Sequence, residues 1–134
     1  MTKIILGLLL LSSTLFSLEW AKDLDTALAK AQKENKIVMV MVESMHCGWC
    51  KKMKHRTLGD KSVEKRLEKF VLVKVMREDS KVMAGLPKVS GVPTIFFMKA
   101  DKTVIEEVIG YFDVLDFTSY ISDVETKVKN KDGF

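Results

Sequence analysis

The sequence predicts an α/β fold with a central mixed β-sheet and helices on both of its faces. One observation is the continuous apolar run of β-branched residues and methionine at 37–42, which is typical of a strand buried on both faces. The other is the order of predicted elements, strand–helix–strand followed by strand–strand–helix, which indicates a layered α/β domain. The chain of 134 residues is long enough for one such domain and too short for two.

The first half of the chain is predicted to contain three helices and two strands. An amphipathic helix is expected over 19–36, before the strand at 37–42, because its apolar residues recur at helical spacing. A second helix should begin near Cys47 and end at His55 or Arg56. A short third helix, capped by Asp60 or Ser62, should precede a strand at 70–76. The residues expected on the buried side of the first helix are Trp20, Leu24, Ala27, Leu28 and Ala31.

The second half is predicted to contain a short helical segment within 78–89, two antiparallel strands and a long last helix. The strands are expected at 94–100 and 103–109, joined by a turn at Asp101 and Lys102. Asp113 is expected to cap the last helix. The residues predicted for the buried side of that helix are Leu115, Tyr120, Ile121, Val124 and Val128.

The only two cysteines lie directly after the apolar run, in the stretch His46-Cys47-Gly48-Trp49-Cys50. A thiol at the start of a helix faces free backbone N–H groups and the positive end of the helix dipole, which stabilise its thiolate. The second thiol, one turn later, can attack a mixed disulfide formed at the first. Because two cysteines so close give little loop-closure stabilisation, this pair favours dithiol–disulfide exchange over a structural disulfide or inert thiols.

The order of these motifs resembles the thioredoxin superfamily over residues 19–130. The strand at 37–42 leads into the helix of Cys47 and Cys50, and Gly91-Val92-Pro93-Thr94 follows about forty residues later. The resemblance implies the thioredoxin fold and thiol–disulfide oxidoreductase activity with no cofactor beyond the redox-active disulfide. It also implies a cis-proline at Pro93, with Val92, Pro93 and Thr94 lining a groove for an extended substrate segment.

The active-site residues depart from those of thioredoxin itself. The dipeptide between the cysteines is Gly-Trp, and Met41 stands where thioredoxin has a buried aspartate. The pattern Cys-x-x-Cys-Lys-Lys-Met is more similar to secreted thioredoxin-related reductases, including the type associated with sulfur oxidation. The closest carboxylate is Glu43, four residues before Cys47.

Three neighbours of the cysteines are candidate modulators, each with a simpler alternative. Protonated His46 would stabilise a thiolate at Cys47, or it is an exposed histidine without coupling. Glu43 would relay a proton to or from Cys50, or it is an exposed charge at a strand end. Trp49 would shield the disulfide and contact substrate, or it only packs locally.

The same two thiols would also suit other functions, which stand as alternative hypotheses. A disulfide oxidase or isomerase of the same fold is the nearest alternative. A Cu(I)-binding chaperone is another, since the methionines Met45 and Met53 flank the cysteines and soft sulfur ligands suit Cu(I). We expect no metal cofactor, because a structural zinc site needs four ligands and two thiols with one histidine fall short.

The N-terminus resembles a secretory signal peptide at 1–17, followed by the thioredoxin-like domain at 18–134. Lys3 is the only charge before Glu19, and an aliphatic run at 4–11 gives way to serine and threonine. Export to the periplasm, or otherwise out of the cytosol, is therefore expected. The run is short for a membrane span, and an uncleaved anchor is the alternative to a cleaved signal. We expect a monomer that acts on protein disulfides. The resemblance implies a membrane electron donor of the thiol-reducing transporter kind.

The formal net charge of the chain is +4, from 22 basic and 18 acidic residues. We expect this small excess to be spread along helices as an ordinary solvated surface. It predicts no nucleic-acid partner.

Overall fold

A computed structural model describes residues 18–131 of the chain. The strands are β1 (Trp20–Ala21), β2 (Ile37–Glu43), β3 (Phe70–Met76), β4 (Thr94–Met98) and β5 (Val104–Ile109). The helices are α1 (Leu24–Glu34), α2 (Gly48–Lys52), α3 (Lys61–Leu67), α4 (Ser80–Met83) and α5 (Val114–Lys131). A π-helical turn over Met53–Thr57 continues α2.

The five strands form one mixed sheet in the order β1-β3-β2-β4-β5. β1 and β2 run parallel to β3, whereas β4 runs antiparallel to both β2 and β5. The predicted α/β architecture with a central mixed sheet is therefore confirmed. Within residues 18–131, no helix is long and apolar enough to cross a membrane.

The alternation of side chains along β2 divides the core into two apolar clusters. Val38, Val40 and Val42 pack with buried residues of α1 on one face of the sheet. Met39 and Met41 pack on the other face, with residues of α2, α3 and α5. Both faces of the central strand are covered, which explains its unbroken apolar sequence.

The N-terminal end of the domain differs from the predicted helix over 19–36. Trp20 and Ala21 form β1, paired with Leu72 and Val73 of β3. The helix begins only after Asp23, whose carboxylate accepts a hydrogen bond of 2.8 Å from the Thr26 N–H and caps the first turn. The prediction that Trp20 lies on the buried side of the first helix was wrong, because this residue belongs to an edge strand.

The last helix is capped as predicted, and four of the five residues predicted for its buried side, all except Leu115, pack on the core. The N–H of Asp116 donates to the Asp113 carboxylate at 2.9 Å. Phe117, Ile121 and Val124 are fully buried, whereas Leu115 is 78% exposed. Leu115 precedes Phe117 by two residues, so it lies about 200° away around the helix axis. Leu115 was therefore wrongly assigned to the core, and Phe117 was missed.

The orientation of α5 predicts a large loss of stability on truncation of one apolar side chain and almost none on truncation of another two residues away. Phe117→Ala should lower the free energy of unfolding by about 3–5 kcal/mol because it leaves a cavity against Phe97. Leu115→Ala should change it by no more than about 0.5 kcal/mol, since an exposed side chain loses little on truncation. Urea denaturation of both variants measures the difference, and equal losses would contradict this orientation.

Candidate active site

Cys47 and Cys50 lie where the central strand ends and the following helix begins. The carboxyl end of β2 lies beside that of its parallel neighbour β3 and beside the start of its antiparallel neighbour β4, where Val42 is paired with Thr94. Cys47 has extended backbone geometry and is the N-cap of α2, while Cys50 lies within that helix.

The two cysteines form a disulfide with their Cα atoms 5.2 Å apart. The backbone N–H of Cys50 donates to Sγ of Cys47 at 3.1 Å, in the manner of a helix cap. Cys47 is partly exposed, whereas Cys50 is only 1% exposed and belongs to the apolar cluster with Met41 and Met53. The two sulfur atoms therefore have different surroundings. That of Cys47 belongs to a partly exposed residue and accepts a backbone N–H, whereas that of Cys50 lies in the core.

The segment 91–94 lies against the same apolar cluster as the cysteines. The Val92–Pro93 peptide bond is cis. Val92 is partly buried and, like Cys47, packs on the cluster that contains Cys50. The Thr94 hydroxyl donates to the Gly91 carbonyl at 2.7 Å and closes the turn. Of the three residues predicted to line the groove, Val92 is the one that shares an apolar cluster with the cysteines.

Trp49, between the two cysteines, is 57% exposed and has two close neighbours. Its ring centroid is 5.6 Å from that of Tyr111, and Nζ of Lys52 lies 4.3 Å from its centroid. The segment of Tyr111 is held by a hydrogen bond of 2.6 Å from the buried Thr57 hydroxyl to the Phe112 carbonyl. The indole therefore lies on the surface beside the disulfide, supported from one side by an aromatic ring.

Glu43, the last residue of β2, continues the alternation that directs Met39 and Met41 towards the cluster of Cys50. Its side chain is 14% exposed, and its Oε1 accepts a hydrogen bond from Nζ of Lys54 at 3.0 Å. Oε2 is buried without a hydrogen-bond partner among the described residues. Glu43 is therefore not the exposed strand-end charge of the simpler interpretation.

Comparison with known proteins begins with a sequence profile described as thioredoxin-like, which matches residues 19–100. That match covers more than half of the chain. The chain belongs to the thioredoxin-like family.

Solved structures agree with this family assignment. A thioredoxin from Thermus thermophilus is 29% identical, with a TM-score of 0.71 over 84% of this chain and 90% of its own. An oxidoreductase named DsbH is 19% identical, with a TM-score of 0.67 over 85% and 86% of the two chains. The C-terminal domain of Neisseria meningitidis DsbD is 24% identical, with a TM-score of 0.59 over 72% and 88%. No curated protein sequence matches the chain.

The family and the cysteine pair at bonding distance together support one activity. Members of the thioredoxin-like family exchange dithiols and disulfides, and this chain carries its Cys-x-x-Cys at the start of the helix after the central strand. The protein is a thiol–disulfide oxidoreductase.

The remaining candidates of the thioredoxin-like domain differ in how far they are exposed. His46 is exposed and has a positive φ of 59°, and His55 is an exposed helix residue. Met45 is 64% exposed, whereas Met53 is fully buried, so the two methionines considered as Cu(I) ligands beside the thiols occupy different environments. Among residues 18–131, no group of three or more His, Cys, Asp or Glu side chains is placed to hold a metal ion.

Three residues of this site were not found from the sequence. Lys54 pairs with Glu43. Tyr111 packs against the indole of Trp49, and Thr57 holds the neighbouring Phe112 through its carbonyl. Thr57 and Phe112 are 55 positions apart, so no local pattern links them. The one feature in the sequence that pointed to the Tyr111 segment was Gly110, which follows the predicted strand and directly precedes Tyr111. In the structure its φ is +96°.

Proposed function

We propose that this protein is an exported reductase of protein disulfides in which Cys47 is the nucleophile and Cys50 the resolving thiol. The observation that carries the proposal is the asymmetry between the sulfurs. Sγ of Cys47 accepts the Cys50 N–H at 3.1 Å and is partly exposed, while Cys50 is buried. A backbone amide at a helix start stabilises a thiolate, which is the attacking species.

The reaction transfers two electrons from the dithiol to the substrate. The Cys47 thiolate attacks one sulfur of a substrate disulfide, so that bond breaks, a mixed disulfide forms and the first substrate thiolate leaves. Cys50 then loses its proton and attacks Sγ of Cys47. The mixed disulfide breaks, the second substrate thiolate leaves, both substrate thiolates take up protons, and the protein retains the Cys47–Cys50 disulfide.

The segment around Pro93 is proposed as the wall that holds the substrate. Val92 packs on the cluster of the two cysteines and lies outside the strands. Its backbone N–H and C=O form no hydrogen bond with the described part of the chain. An extended substrate segment would bind both groups in the manner of an added strand.

Export rests on the sequence at 1–17, which lies outside the described residues. Its basic start, aliphatic run and small-residue exit fit a secretory signal, and cleavage after Ser17 would leave the domain at 18–134. In an oxidising compartment the disulfide form would accumulate, so continued turnover requires a membrane electron donor that reduces the Cys47–Cys50 disulfide back to the dithiol.

The export proposal predicts a shortened protein outside the cytosol. After expression in a bacterium with a secretory pathway, the intact mass of the protein in the exported fraction should correspond to a chain that begins at Leu18. A cytosolic protein of full-length mass would contradict export without affecting the assignment of the thiols.

The roles of the two cysteines predict different defects in single variants. With a peptide that contains one intramolecular disulfide, Cys47→Ser should abolish exchange, because the nucleophile is lost. Cys50→Ser should still attack but should accumulate a mixed disulfide at Cys47, visible by mass under non-reducing conditions. Mixed disulfides in Cys47→Ser and none in Cys50→Ser would reverse the assignment.

The direction of electron flow is tested by the reduction potential of the wild-type pair, measured by equilibration with glutathione or dithiothreitol. A reductase should have a potential near that of thioredoxin, about −270 mV. A value near about −120 mV would instead indicate the alternative function, a disulfide oxidase of the same fold.

Glu43 is proposed as the group that accepts the proton of Cys50 during the second step. Burial of Cys50 disfavours its thiolate, so resolution needs a nearby base. Glu43 lies on the same side of β2 as Met39 and Met41, which contact the cluster of Cys50, and its Oε2 is free of protein partners in the described region.

Glu43→Gln should therefore slow resolution at neutral pH by about 100-fold, the lower end of a general base's usual contribution, and leave the first attack nearly unchanged. The defect should diminish at high pH, where Cys50 loses its proton without assistance. Rapid acid quench followed by mass measurement separates the two steps. Glu78→Gln is the matched control, since Glu78 is an exposed carboxylate that bonds to the Met45 N–H. A pH-independent defect, or an equal defect in the control, would contradict the relay.

A further inference from the structure

The positive charge of the chain is concentrated in the active-site segment, contrary to the even distribution expected from composition. Residues 44–59 contain four cations, both histidines and no aspartate or glutamate. The whole chain has 22 basic and 18 acidic residues, so the remainder outside this segment is balanced at 18 against 18. The segment thus carries a formal charge equal to the net charge of the chain, and it is bordered by Glu43 and Asp60.

The side chains of this segment separate into an inner and an outer set. Cys50, Met53 and Thr57 recur at helical spacing and are buried against the core. Lys51 and Arg56 are exposed, and neither forms an ion pair within residues 18–131. Lys51 directly follows Cys50 and Arg56 lies six residues after it, so both exposed cations belong to the segment that carries the disulfide.

The other two cations have protein partners. Lys54 is paired with Glu43 at 3.0 Å, and Nζ of Lys52 lies over the ring of Trp49. One carboxylate approaches from a neighbouring loop, Glu78, which accepts the Met45 N–H at 3.1 Å. Even with Glu78 counted, the surface beside the disulfide is basic and carries the exposed apolar side chains of Met45 and Trp49.

We infer that this surface selects acidic polypeptides, in which the reactive disulfide is flanked by Asp or Glu and by an apolar residue. The inference rests on the proposed function, because it names the substrate class of the same thiols. The exposed cations attract the carboxylates of such a partner, while Trp49 and Met45 offer apolar contact beside Cys47.

Charge of one sign around a reactive centre acts mainly on the rate of encounter. Complementary fields raise association rates by about 10–1,000-fold, and the effect falls steeply with ionic strength. At 0.1 M salt, charges interact over only about 10 Å, so Lys51, which directly follows Cys50, acts more strongly than lysines on distant elements. The preference should therefore be specific to this segment and sensitive to salt.

The test compares three peptides of equal length with the same intramolecular disulfide, flanked by Glu, Gln or Lys. The reduced full-length protein is mixed with each peptide, and the rate of the first attack is measured by rapid quench. At low salt the Glu peptide should react about tenfold faster than the Lys peptide, with the Gln peptide between them. In about 1 M salt, where screening extends to about 3 Å, the three rates should converge.

Two double variants locate the effect. Lys51→Gln with Arg56→Gln should reduce the Glu-to-Lys rate ratio by about threefold or more, because both exposed cations are lost. Lys30→Gln with Lys33→Gln changes the net charge equally on α1, which packs on the other face of the sheet, and should leave the ratio unchanged.

The outcomes separate this inference from the proposed function. Exchange with all three peptides at equal rates, a faster Lys peptide, a ratio insensitive to salt or an equal effect of both double variants would overturn the preference for acidic partners. Under each of these results, reduction of the peptides would still stand. Failure to react with any peptide would overturn the proposed function together with this inference.

Discussion

The burial of β2 on both faces is the constraint on which the site depends. Because helices cover both sides of this central strand, the chain can reach solvent only after its last residue, Glu43. Met45 and His46 are exposed, and Cys47 then begins a helix whose first N–H groups are free of helical partners. The disulfide thus lies where a buried layer, a helix start and the loop before β4 meet.

The same short helix gives its two sulfurs different chemistry. Cys47 is at the N-cap, where an amide supports negative charge, and Cys50 is one turn deeper in an apolar cluster. A buried thiol ionises less readily, so its attack is helped by a base, which is the role proposed for Glu43. In this chain Met41 occupies the middle of the strand and Glu43 its end, which brings the acid within 3.0 Å of Lys54.

The fold was largely predictable because its signals are local. The run at 37–42 predicted a strand observed at 37–43, and the strand at 70–76 was predicted with its observed limits. The two residues of β1 were missed because only their pairing with β3 distinguishes them from a helix start. The cysteines were visible as a motif, whereas the contact of Trp49 with Tyr111 joins residues 62 positions apart and has no local signal.

The surroundings of the disulfide support one another through contacts distant in sequence. The Thr57 hydroxyl binds the Phe112 carbonyl, Tyr111 lies against Trp49, and the Gly110 N–H donates to the Pro93 carbonyl at 2.8 Å. The active-site helix, the segment after β5 and the loop of Pro93 therefore position each other. These contacts use backbone groups, one buried hydroxyl and aromatic rings, whereas the unpaired cations point to solvent. The side chains that position the disulfide thus differ from the exposed cations Lys51 and Arg56. Substitution of these cations would change the charge of the surface without moving the two sulfur atoms.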